Sequence, residues 1–170
     1  MILLFTLGAL LGVAASVILW QRETIYFIMN PDRIQVKSAG EIQEALYSGE
    51  AGGIRRLPDG GLEYSLLGGT VALSVSFEGD SLSRMNAAFN IYSIPVKTVS
   101  GALKQAHSVL SPYLGAPEIN ALCAVIAWEM PGATTSNSMD YRRQFGAYTV
   151  SVGGSLVSGD ARVTVERSSP

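Results

Sequence analysis

Thr70-Val71-Ala72-Leu73-Ser74-Val75-Ser76-Phe77-Glu78 alternates in polarity from end to end. Successive side chains of a strand point to opposite faces, so Val71, Leu73, Val75 and Phe77 share one face. Thr70, Ala72, Ser74, Ser76 and Glu78 share the other. This is the pattern of a half-buried antiparallel strand, with one side packed and the other facing water. Gly79-Asp80 turns the chain, and Ala87, Phe89 and Ile91 carry the alternation into a partner strand.

Toward the N-terminus, Gly68-Gly69 and Pro58-Asp59-Gly60-Gly61 read as turns, the latter between two further strands. Before them, Ser38 and Glu41 have capping-box spacing, and Ile42, Ala45 and Leu46 form an apolar stripe. The spacing predicts a short helix over 39–48, ended by Gly52-Gly53. Toward the C-terminus, Pro95 can open a helix with the stripe Val99, Leu103, Ala106 and Leu110, stopped by Pro112. Pro117 opens a second helix to about Met130, with Ile119, Leu122, Cys123, Ile126 and Met130 on one face. A strand alternating through Leu122, Ala124, Ile126 and Trp128 is the competing reading, which the alanines of this stretch disfavour. Pro131 to Ser138 is a polar loop, and Tyr141 to Val152 and Ala161 to Arg167 read as two strands.

The first twenty residues differ from everything after them. Met1 to Trp20 contains no Asp, Glu, Lys or Arg, and only Thr6 and Ser16 interrupt its apolar side chains. As a helix, Ile2 to Trp20 would reach roughly 28 Å, close to the thickness of a bilayer core. Trp20 at its end suits the headgroup boundary. The expectation is an uncleaved single-pass membrane anchor. A cleaved signal peptide competes through Val13-Ala14-Ala15, but lacks a basic leader. A buried core helix is disfavoured by the unbroken apolarity. Gly8, Gly12 and Ser16 lie four apart, a spacing that allows self-association into a homodimer through the membrane segment.

Together these readings predict an α+β protein with one N-terminal transmembrane helix. A small domain follows, with an antiparallel sheet of about five strands covered on one face by two or three helices. The expected organisation is an anchor over 1–20, a juxtamembrane connector over 21–37 and a single α+β domain over 38–170. Ile25 to Met29 is a second apolar run inside the connector, able to extend the anchor along the interface or to form an edge of the core. The soluble part is placed outside the cytoplasm, although Arg22, Arg33 and Lys37 after the segment would favour the opposite.

Composition narrows the function. The chain has 170 residues, 12 basic and 14 acidic, and a net charge of −2, without the basic surplus of a nucleic-acid footprint. His107 and Cys123 are the only residues of their kinds, too few for a zinc site and unable to form an internal disulfide. Cys123 lies on an apolar stripe, where a free thiol acts as a small core residue, and His107 reads as a boundary residue of its helix. Glycine-rich phosphate loops and a nucleophile elbow are both absent. No catalytic residue, cofactor or metal is expected.

Two surfaces carry binding expectations. Tyr141, Arg143 and Phe145 share one face of a strand, where a guanidinium among aromatic rings can grip a sugar or an anion. The plainer reading is arginine stems covering rings on a solvated strand. In the second helix, Ala121, Ala124, Val125 and Trp128 lie opposite the core stripe, so the helix is apolar on both sides. Such a helix either sits inside the core or docks on a partner. The functional expectation is a membrane-tethered, non-enzymatic binding domain of the cell envelope that contacts a protein or an envelope component. The alternative is a membrane-anchored enzyme with a shallow polar site acting on a glycan.

Overall fold

The computed structural model describes residues 21–48, 52–58, 60–66, 70–92 and 106–168. Seven strands form one antiparallel sheet: β1 (Gly52–Arg56), β2 (Leu62–Leu66), β3 (Val71–Glu78), β4 (Ser81–Asn90), β5 (Ser138–Phe145), β6 (Tyr148–Ser155) and β7 (Asp160–Arg167). Their spatial order is β1-β2-β3-β4-β7-β6-β5. Three helices accompany them: α1 (Arg22–Met29), α2 (Ala39–Ser48) and α3 (Ala116–Glu129), with a further helical segment at 106–110.

This corrects the expected fold class in two respects. The sheet has seven strands rather than about five, and no helix among the described residues is long and apolar enough to cross a membrane. The run 1–20, with Gly8, Gly12 and Ser16, lies outside the described residues, as do Pro95, Val99 and Leu103. The strand count changes most clearly after Ser138. The stretch read as one strand from Tyr141 to Val152 is a hairpin, with Phe145 paired to Tyr148 across the two-residue turn Gly146-Ala147. Gly146 adopts φ +57°, which glycine takes without a Cβ penalty. A Cβ there would also lie 2.8 Å from the Asp32 carbonyl oxygen, so the turn is pressed against the segment after α1.

The alternation of β3 appears in the structure as expected. Val71, Leu73 and Val75 are buried, and Leu82, Met85 and Ala87 of β4 join them. A bulge at Ser76/Phe77 shifts the register and brings Leu82 and Met85 onto the same face despite their odd spacing. Ile42 and Leu46 of α2, Ile119, Leu122 and Val125 of α3, and Tyr113 and Leu114 close over this face in a single core. The capping box forms: the Ser38 amide donates to Glu41 Oε2 at 3.0 Å, and the Glu41 amide donates back to Ser38 Oγ at 3.4 Å. The helix at Pro117 also forms, and the competing strand reading of that stretch is set aside.

Residues 22–36, expected as part of a connector, pack onto the domain. Thr24 and Ile34 are buried, and Phe27 and Val36 lie against the core. α1 packs against α3, so α3 has the sheet on one side and a helix on the other. That arrangement explains part of the helix's missing polar face, since Ile119, Leu122, Ala121 and Val125 are buried, while Ala124 and Trp128 stay exposed.

Candidate functional site

α3 ends at Glu129 beside β5, and this junction gathers the polar chemistry of the helical layer. The Tyr141 hydroxyl donates to Glu129 Oε2 at 2.7 Å. Arg143 forms an ion pair with the other carboxylate oxygen of Glu129. The Arg143 guanidinium also lies 5.3 Å from the centroid of the Phe145 ring, within cation–π range. Tyr141 and Phe145 are buried, and burial pushes the Tyr141 phenol above its ordinary pKa.

The three residues expected as a ligand face are thus on one face of β5. Two of them are buried, while the cation of Arg143 is held by Glu129. Glu129 carries this cluster together and was not singled out from the sequence. No spacing signal could have found it, because its partners lie 12 and 14 residues away across a turn and the start of a strand.

Next to this cluster runs an open groove of about 430 Å³, lined by Ile28, Pro31, Ala124, Val125, Trp128 and the Glu129–Arg143 pair. Of the residues expected as a partner-binding set, Ala121 and Val125 are buried. Ala124 is exposed, and the Trp128 ring is 88% exposed at the groove's lip. Ile25, Tyr26, Ile28 and Met29 of α1 are exposed as well, Met29 at 77%. On a helix Ile25 and Met29 share a face, and only Thr24 and Phe27 of this stretch are taken up by the chain's own packing. Ile28 and Trp128 thus line one groove, Ile25 and Met29 extend the exposed apolar surface along α1, and Tyr26 leaves that helix about 160° from Ile28. The unbroken apolar run Ile25 to Met29 was the sequence signal of this surface.

His107 Nε2 is hydrogen-bonded to Asn120 Oδ1 at 2.7 Å, joining the 106–110 segment to α3. Cys123 is half-buried against the core, and burial raises its thiol pKa, which suppresses the reactive thiolate. Among the described residues no grouping of His, Cys, Asp or Glu could hold a metal ion.

No family model matches this chain, and neither a curated protein nor a solved structure matches it. The functional reading therefore rests on the geometry of the site.

Proposed function

We propose that this protein is a membrane-tethered, non-enzymatic binding domain of the cell envelope that docks a protein or envelope component through the α1–α3 surface. The observation that carries the proposal is the exposure of Trp128 beside Ile28 at the groove, with Ile25 and Met29 exposed along the same helix as Ile28. Contiguous apolar exposure of this kind marks interaction sites more often than scattered single residues do, and tryptophan is a frequent interface anchor. The tether is supported by the uncharged apolar run from Ile2 to Trp20. Tethering raises the local concentration of a partner near the membrane, so a modest patch suffices.

Photo-crosslinking tests this reading. A photoreactive residue at position 128 of the full chain, illuminated in native membranes, should give a protein or lipid adduct. The same residue at position 162, on the polar side of the sheet, should give little. Equal yields at the two positions would defeat the proposal.

A further inference from the structure

The α1–α3 patch is continuous in the chain with the run that precedes it. One residue, Gln21, separates Trp20 from the first residue of α1. α1 itself is eight residues long, roughly 12 Å, and Met29 lies at its far end. The interfacial layer on each side of a bilayer core is only about 5–7 Å thick. If the apolar run is in lipid, α1 begins within that layer, and a helix of this length stays in it only by lying along the surface, with its outward side chains against headgroups and upper acyl chains. The residue types agree: Ile25, Ile28 and Met29 offer apolar surface, while Trp128 has the amphipathic ring that favours the interface. Arg22 and Glu23 at one end of α1 and Asp32 and Arg33 beyond the other balance in sign. The contact is therefore apolar rather than driven by anionic lipid.

We infer that Ile25, Ile28, Met29 and Trp128 form a membrane-resting face, on which the domain lies against the lipid interface. This rests on the proposed tether and names the lipid surface as the envelope component bound by the patch. The opposite, polar face of the sheet is thereby turned away from the bilayer.

The test uses tryptophan fluorescence. The chain has two tryptophans, Trp20 and Trp128, so Trp20→Phe in the full-length protein leaves Trp128 as the sole reporter. The protein is reconstituted into vesicles of zwitterionic phosphatidylcholine, with or without bromine on the upper acyl chain, and flotation is scored first. The expected result is a floating protein whose Trp128 emission is blue-shifted, loses most of its intensity in brominated vesicles and resists aqueous iodide. Flotation with quenching by iodide and none by bromolipid would overturn the lipid face while leaving the tether intact. Flotation with neither quencher effective would also overturn it, assigning the patch to a second copy or to the chain's own residues 1–20. Failure to float would bring down the tether and the lipid face with it.

Discussion

The two broad sides of this molecule handle exposure in opposite ways. Across the sheet, Glu63, Ser74, Asn86, Thr164, Ser151 and Arg142 stand side by side in register on six successive strands, and every one is polar. On the helical side, α1 and α3 leave five large apolar side chains in solvent. The sheet face lies on the polar half of each alternating strand, so burial of the core and solvation of the outside follow from one pattern. α1 has no such division from Thr24 to Met29. Its own domain can cover only one side, and whatever remains apolar needs another neighbour or stays exposed. Tyr47, Tyr92 and Val157 are exposed too, but on other elements. The contrast shows that the α1–α3 patch is local rather than a general property of the surface.

The sharpest way to break this comparison is to remove one buried and one exposed aromatic ring. Phe145 is buried in the core and Trp128 projects from it. Phe145→Ala should cost about 3–5 kcal/mol and can prevent folding, whereas Trp128→Ala should change stability by no more than about 0.5 kcal/mol. Urea denaturation of the two variants measures both. A large loss in Trp128→Ala would make the ring part of the fold and remove the basis for a docking surface.

A smaller effect is expected where the helical layer joins the sheet. Glu129→Gln keeps an acceptor near Tyr141 but removes the charge that holds Arg143, a pair in which each side chain is about one-third exposed. Partial solvent screening limits the expected loss to about 1 kcal/mol. Denaturation midpoints in low and high salt should converge for the parent and the variant as screening grows. Identical midpoints at low salt would mean that the pair does not fasten α3 to β5.

The smallest effect separates the two N-terminal helices. Hydrogen bonding from Ser38, through its side chain and then its backbone, lowers the Glu41 pKa below its ordinary value of 4.5. A lowered folded-state pKa contributes stability that is present above the unfolded value and lost as pH falls through the folded value. Acid should therefore loosen the first turn of α2, while α1, which lacks a side-chain N-cap, should change less. Amide protection factors of the two helices, taken relative to the intrinsic exchange rate at each pH from 6 down to about 3, read this difference. Equal loss of protection in both would remove the capping box as its cause.

Much of the fold was legible because its cues are local. The alternation of β3, the Gly79-Asp80 turn, the Ser38–Glu41 capping box and the helix opening at Pro117 each depend on residues a few positions apart. The β5–β6 hairpin left a signal that was easy to pass over. The inward residues change from odd numbers (Tyr141, Arg143, Phe145) to even numbers (Tyr148, Val150, Val152), and a two-residue turn produces that switch. Without that switch the stretch has the length and alternation of a single strand. The candidate site was half legible, since Trp128 stood out but its surroundings did not.

The sequence by itself determined the alternation of β3, the Gly79-Asp80 turn, the starts of α2 and α3 and the absence of charge before Arg22, because each is set by periodicity or by the chemistry of near neighbours. Only the tertiary structure decided which apolar side of α3 would be covered and by what. Ala121, Val125 and Trp128 lie on the same side of that helix in sequence terms, yet α1 and the core leave the first two buried and the third exposed. The same holds for Arg143, whose neighbour Glu129 belongs to another element. Periodicity fixes the direction in which a side chain leaves its own helix or strand. What it meets there depends on how distant segments pack, and no local pattern encodes that.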